Sequence, residues 1–424
     1  MNKKDRFNNF LKKDGTKSVA ASLLCILGGM LVGFIVLLIL SITSSDIDIS
    51  EAFSGLAIIL GGPFAAGSTK DALFQFGDML LEAAPLLMTG LSVAVAFKTG
   101  LFNIGAPGQY LMGAMTSLLV ALSIPTTPNT AFFVWLLALV AGILAGMLWG
   151  AIPGFFKAVF NVNEVIVCIM TNWIAANTVS WVFYLTGDKF INIAETKTKF
   201  IRKTITNGVA TPKFGLDKLF PGSNVDISLF IAILFAIVIY IILNKTTFGY
   251  ELKACGFNKN GAKYAGMNEK RNIVLSMMIA GGLAAGGAAL WYLNGENDFL
   301  WNTYSALPSE GFNGIPVALL ASNNPIAVIF SSIFLRYIGK GGFNLAGYTA
   351  FNEYVSDLIV AVIIYFAGFS KFIKDFISAR QAKKEEKAHA AEAAGAVATE
   401  IAERHEAEAA SVNAAQTKTE EGDK

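Results

Sequence analysis

The chain has 424 residues, of which 54% are hydrophobic and only 15% charged, and its mean hydropathy is +0.54. A soluble domain of this size carries nearer ~25% charge, so the composition excludes a single soluble body and points to a helical membrane protein of many spans. The net charge of +2 comes from Lys and Arg in loops and tails, which gives no footprint for nucleic acid, and both histidines, His389 and His405, fall near the C-terminus, leaving the membrane body without the usual catalytic base.

The N-terminus is basic, with Lys3, Lys4, Arg6, Lys12, Lys13 and Lys17 ahead of an apolar run at residues 19–40. That run is too long for a signal peptide and ends without a small-residue cleavage site. Residues 1–18 are therefore expected in the cytoplasm, followed by a retained first span. Further apolar segments predict spans at 79–97, 105–123, 131–152, 164–185, 227–243, 272–293 and 355–369. Before the last of these lies an interrupted stretch, 314–320 and then 326–338, divided by Asn323-Asn324-Pro325. Pro325 removes a helix donor and disfavours helix at Asn324. A break of this kind is tolerated at membrane depth only where protein or a cavity covers the exposed backbone. The fold class is all-α, a polytopic membrane protein with a body at 19–370 and nine to ten spans. Nine crossings would leave the tail outside, yet it opens with Lys371, Lys374, Arg380, Lys383 and Lys384, which favours the cytoplasm. A tenth crossing by 52–67 or 314–320 restores the parity.

The loop at 186–226 is long and lysine-rich, and alternation from a cytoplasmic N-terminus places it outside; long loops weigh little in the positive-inside rule. Residues 371–424 are rich in Ala, Glu and Lys with little apolar surface to bury, which predicts a solvated helix or disorder on the cytoplasmic side. Gly142, Gly146 and Gly150, and likewise Gly282 and Gly286, repeat at helical spacing and predict close helix packing inside one subunit. Cys25, Cys168 and Cys255 show no metal or disulfide spacing and read as small buried apolar residues. No metal or cofactor motif is found.

Gly62 to Thr69 has the glycine spacing of a phosphate loop but lacks the Lys that must follow the second Gly. Ionisable residues are nearly absent from predicted span centres: Asp78, Glu82 and Glu164 fall at span starts and Arg336 near a span end, where it can snorkel. Two polar passages stand out. Residues 100–109 form a Gly- and Pro-broken segment whose Asn103 and Gln109 suit either a neutral polar solute or a tight turn. In 161–173, Glu164, Cys168 and Asn172 share one helix face, with Glu164 favoured at a helix N-terminus by the dipole. A third, residues 248–271, is a polar island between apolar runs. Asn258 and Gly266 punctuate a short helix there, and Phe257, Ala262, Tyr264 and Ala265 interleave with Lys253, Lys259 and Lys263. Such a segment either offers a face to another protein or is a solvated loop.

The segments 100–109, 164–175, 249–271 and 311–320, with Asn323-Asn324-Pro325, together resemble permeases of ABC importers, in the branched-chain amino acid and ribose permease superfamily. The nearest likeness is to nucleoside-type permeases that work with basic-membrane-protein lipoproteins, and it runs over about residues 81–369. Pro107 stands where that family usually has an acidic residue, and Pro316 and Ser322 where Ala and Gly are commoner. The resemblance implies a multi-pass subunit of a bacterial plasma membrane that is not itself an enzyme. Its implied partners are a cytoplasmic ABC ATPase, a second homologous permease in a heterodimer, and a solute-binding lipoprotein outside. It also implies that 245–271 couples to the ATPase through Glu251, Lys253, Gly256, Phe257, Asn258, Ala262, Tyr264 and Gly266, with Tyr264, Ala262 and Gly266 at the contact. Asn103, Gln109, Glu164, Asn172 and Asn313 then line the path or brace the broken helices. The expected function is ATP-driven import of nucleosides or similar small polar solutes. A simple-sugar permease, an ion-coupled secondary transporter and a non-transporting scaffold are the rival readings.

Overall fold

The computed structural model describes residues 14–44, 47–193, 195–302, 304, 306–369, 372–383, 386, 387, 390 and 401. The basic residues before 14 and most of the Ala/Glu/Lys-rich tail lie outside them. The chain divides into two units: residues 22–370, and the chain ends 1–21 with 371–424. In the second unit the described stretches 14–21 and 372–383 are helical.

The helices run, in order, α1 (Asp14–Thr43), α2 (Ile49–Gly61), α3 (Thr69–Lys98), α4 (Ala106–Ser123), α5 (Ala131–Phe160), α6 (Glu164–Leu185), α7 (Ser228–Lys245), α8 (Thr247–Phe257), α9 (Lys259–Tyr264), α10 (Glu269–Tyr292), α11 (Ser309–Leu320), α12 (Pro325–Tyr348) and α13 (Glu353–Ala367). Among the described residues, seven helices are long and apolar enough to cross a membrane: the 23–43 part of α1, then α3, α5, α6, α7, α10 and α12. The remaining crossings of the expected nine to ten would have to come from α2, α4, α11 and α13. The apolar helical run at 52–67 is shorter than these seven: α2 continues as a 3-10 turn, giving Ile49–Ala65. It lies against α12, where the Tyr337 hydroxyl donates to the Leu60 and Gly61 carbonyls at 2.9 Å.

Two helices form the buried centre. The apolar windows of α3 and α10 are 83% and 78% buried, against 33% for each of α5, α6 and α7, which turn their other faces outward. In lipid, apolar side chains gain little by meeting one another, so helices are held by close backbone approach across small residues. The glycine stripe of α5 does this against α10. A Cβ at Gly146 would collide with Ala285 and the Gly281 carbonyl, one at Gly150 with the Met277 carbonyl, and one at Gly142 would press on Ala289 at 3.2 Å. Gly282 also faces α5, at Met147 and Ile143, and Gly286 sits between Ile143 of α5 and Met88 of α3.

The expected long loop is a folded cap. Within it β1 (Ile191–Asn192) pairs antiparallel with β2 (Lys197–Ile201), which pairs antiparallel with β3 (Phe299–Leu300), arriving from beyond α10. The alternation in these strands is too short to register in the sequence. Phe190, Ile201 and Phe299 are nonetheless buried with Tyr110 and Phe183. Lys197 binds Asp298 at 2.8 Å and Glu195 at 3.3 Å, so part of the lysine excess is locally paired. The Asn207 amide donates to the Ala121 and Ile124 carbonyls at 2.6 and 2.9 Å, ending α4. Asp226 accepts from the Ser228 N–H at 2.8 Å and from Asn294 at 2.7 Å. Burial pushes its carboxyl above the usual carboxylate range, against the pull of those bonds.

Gly146→Leu should therefore overpack the α5–α10 seam at a cost of about 1–3 kcal/mol or more. The expected outcome is a lower Tm in detergent, whereas Gly347→Ala, on α12 with open space where the Cβ would stand, changes Tm by far less.

Candidate functional site

Three neighbouring regions hold the residues singled out above. The first is the polar island, which folds as two short helices. Thr246 caps α8 by accepting from the Gly249 N–H at 3.1 Å, and Asn258 caps α9 by accepting from the Gly261 N–H at 2.9 Å. Gly266, at φ +80°, ends α9 in a conformation that favours glycine. Asn268 caps α10 through the Arg271 N–H at 3.0 Å. The inner side of this hairpin is apolar, with Leu252, Cys255 and Ala262 buried. Its outer side is an aromatic ledge: Phe257 is 97% and Tyr264 95% exposed, with Tyr250 beside them. Ala262 thus supports α9 from beneath, while Tyr264 and Gly266, with nothing within 4 Å of a Cβ at the glycine, face outward. Grooves of about 800 and 490 Å³ flank the ledge, the larger reaching Glu251, Gly266 and Arg271 and the smaller reaching Lys253, Asn258 and Ala262. Glu251 accepts from Asn272 at 3.3 Å and Lys253 reaches Asn244 at 3.4 Å.

The ledge is joined to the bundle by bare backbone. A Cβ on Gly256 would collide with the Thr99 and Gly100 backbone, and one on Gly100 would lie 2.6 Å from the Gly256 carbonyl oxygen. Gly100 has φ +72° and turns the chain out of α3. The Thr99 hydroxyl is also hydrogen-bonded to that of Ser276 on α10.

That turn leads into the second region, the polar junction before α4. The Asn103 amide donates to the Ser92 hydroxyl at 2.9 Å and to Gln109 Oε1 at 2.7 Å, and accepts from Gln109 Nε2 at 3.1 Å and from the Gly105 N–H at 3.2 Å. Asn172 on α6 accepts from the Gly108 N–H at 2.9 Å and donates to the Ile104 carbonyl at 2.9 Å. All three amides are buried. Asn172 is engaged with irregular backbone, while Asn103 and Gln109 pair with each other and Asn103 adds the Gly105 N–H and the Ser92 hydroxyl. Cys168, one turn before Asn172, fills the space beside Gly105. Glu164 stands apart, paired with Lys157 across the α5–α6 turn at 2.9 Å.

The third region surrounds Asn313. α11 is seated by backbone contact: a Cβ at Gly311 would lie 2.5 Å from Pro107, and one at Gly314 would lie 2.5 Å from the Thr89 backbone. Ser322 and Asn323 carry positive φ, and Asn324, accepting from the Ile326 N–H at 3.0 Å, restarts the helix with Pro325 in its first turn. Asn313 lines a cavity of about 480 Å³ between α3, α11, α12 and α13. In its wall Glu82 bonds Lys340 at 2.8 Å and approaches Arg336 at 3.8 Å. The expectation for Arg336 is overturned here. α12 continues ten residues past 338 to Tyr348, so Arg336 lies mid-helix, and Glu82 lies near the middle of the 30-residue α3. Arg336 and Lys340 interrupt the apolar run of α12. Their i, i+4 spacing on one face was the available signal.

Residues 75–368 match the family described as branched-chain amino acid transport system, permease component. The chain belongs to that family. It is a transport subunit of a multi-pass plasma-membrane system, and ATP hydrolysis is the work of a separate subunit. The permease is 32% identical to the guanosine ABC transporter permease protein NupP of Bacillus subtilis over 340 residues, 78% of this chain and 93% of the relative. It is 32% identical to the nucleoside ABC transporter permease protein NupB of Lactococcus lactis over 356 residues, 83% of this chain and 91% of that one. To the glucose ABC transporter permease protein TsgB13 of Haloferax volcanii it is 27% identical over 314 residues, covering 71% and 78%. No solved structure matches the permease.

Asn172→Ala would leave the Gly108 N–H and the Ile104 carbonyl unsatisfied, at about 1–3 kcal/mol for each orphaned group. A clear fall in Tm is expected, and Asn172→Asp, which buries a carboxylate against the Ile104 carbonyl, should be no milder. An unchanged Tm in the alanine variant would show that the junction is not structural.

Proposed function

We propose that this permease is one half of a heterodimeric ABC importer that moves nucleosides delivered by an extracytoplasmic lipoprotein, with α8 and α9 as the segment docking on the cytoplasmic ATPase. The carrying observation is the aromatic ledge, with Phe257 and Tyr264 almost wholly exposed on a hairpin whose inner face is packed. Exposed aromatics at a helix end, ringed by Lys253, Lys259 and Lys263, fit a protein groove better than water, because aromatic anchors supply most of the energy of such contacts. The Gly256–Gly100 contact then gives the ledge a mechanical connection to α3 and to the junction at Asn103. Support for nucleosides comes from the two relatives at 32% identity, one named for guanosine and one for nucleosides.

In this reading both chain termini are cytoplasmic and the cap at 186–226 faces outside. Asn103, Gln109 and Asn172 brace the junction, while Asn313 faces the solute. Glu164 fastens the α5–α6 turn to Lys157. The free energy arrives from the ATPase through the ledge, so the chain alone has no means of concentrating solute.

The test pairs Phe257→Ala with Tyr264→Ala. Both side chains are exposed, so each change should alter stability by no more than about 0.5 kcal/mol. Loss of two anchors worth about 2 kcal/mol each should weaken ATPase co-purification by well over ~30-fold and abolish uptake, with solute capture by the lipoprotein unaffected. Wild-type uptake and ATPase recovery in the double variant would reject the docking assignment. Uptake driven by an ion gradient in vesicles holding only this chain would reject the importer reading as a whole.

A further inference from the structure

Glu82, Arg336 and Lys340 lie mid-helix in a membrane-spanning body, where an ionisable group costs ~2.5–3.5 kcal/mol even on lenient scales. A pair serving only to clamp α3 to α12 would be packed on all sides. This one borders a cavity of about 480 Å³, and two observations indicate that the space is kept for an occupant. Gly339 faces the cavity between the two basic residues, with nothing within 4 Å of where a Cβ would stand. A glycine inside a helix costs about 1 kcal/mol relative to alanine, and here no neighbouring backbone or side chain requires it. Asn313, on the facing half-helix, also lines the cavity, and no hydrogen bond of its side chain is found among the described residues.

We propose that this cavity is a solute subsite within the permease that takes the vicinal diol of a neutral, sugar-bearing solute. The inference rests on the nucleoside-importer reading above and names the part of the solute that is recognised. The charges at the site favour a neutral guest: Glu82 opposes Lys340 and Arg336, and Asp357 at the rim offsets the second cation. A diol matches this arrangement because each hydroxyl both donates and accepts. One O–H donates to a Glu82 carboxylate oxygen, and the hydroxyl oxygens accept from the Lys340 ammonium and the Arg336 guanidinium Nη groups. Asn313 supplies a further donor and acceptor from across the cavity. Phe343, Leu86 and Leu335 form an apolar wall on which a flat base can rest. Gly339 leaves the width that the sugar needs.

The test is uptake by the assembled transporter in cells, using radiolabelled guanosine with unlabelled guanosine or 2′,3′-dideoxyguanosine as competitor. The delivering protein is common to every arm, so a change between variants belongs to this chain. Wild type should prefer the diol at least ~10-fold, as sites that hydrogen-bond a hydroxyl discriminate against analogues lacking it. Glu82→Gln should bring that preference to within ~3-fold of unity. Gly339→Leu, which enters open space and favours the helix, should cut guanosine uptake ~10-fold or more at wild-type membrane abundance. It remains decisive if Glu82→Gln fails to fold. Wild-type uptake and preference in Gly339→Leu would overturn the subsite while leaving the importer reading in place. A wild type that imports no guanosine overturns both.

Discussion

The architecture depends on backbone meeting backbone without side chains between. Inside a bilayer an apolar residue is as well solvated by lipid as by another helix, so the force that gathers a soluble core is largely missing. What remains is dispersion over short distances together with a few hydrogen bonds. Dispersion falls off steeply with separation, so it counts only where small residues let helices close up. The α5–α10 seam, the seat of α11 on α3 and α4, and the dock of α8 on the end of α3 are all built this way. Each uses glycine at the contact: Gly146 and Gly281 in the first, Gly311 and Gly314 in the second, Gly100 and Gly256 in the third. With α10 and α3 fixed at the centre, the other helices can afford broad apolar faces toward lipid.

Much of this was legible in the sequence because it has a period. The glycines of α5 repeat every four residues, the spans announce themselves by apolar length, and Asn258 with Gly266 marks both ends of α9. The break at Asn323-Asn324-Pro325 was equally readable, since proline chemistry is local. Less legible was anything requiring a partner distant in the chain. β3 pairs with β2 about a hundred residues earlier, and strands of two to five residues carry too little alternation to be seen alone. Glu82 and Lys340 are 258 positions apart; Glu82 looked like the start of a span, and nothing local ties it to Lys340. Asn103, Gln109 and Asn172 were picked out as polar residues in apolar surroundings. Residue type did not decide what their amides bond: Asn172 is engaged with backbone, whereas Asn103 and Gln109 bond chiefly each other.

These placements separate two uses of polarity in a membrane protein. At the junction before α4 the chain leaves helical geometry, and neutral amides are the economical way to satisfy the freed N–H and carbonyl groups, because they exchange several hydrogen bonds without carrying charge into a low dielectric. Around Asn313 the polar groups are ionisable side chains that border open space. The first arrangement makes irregular backbone rigid. The second preserves polar capacity inside a shape, which a purely structural clamp would have no reason to retain.

The contact between Gly100 and Gly256 also has a mechanical consequence. Side chains at an interface act as soft springs: they rotate about their χ angles and absorb small displacements before the backbones respond. Between these two glycines there are no such springs, so the joint has little compliance in compression. A movement of α8 of even a few tenths of an ångström therefore reaches the end of α3 almost undiminished. From there it passes to the turn that carries Asn103, which is itself stiffened by four hydrogen bonds. The two glycines make the joint stiff by removing everything that could yield.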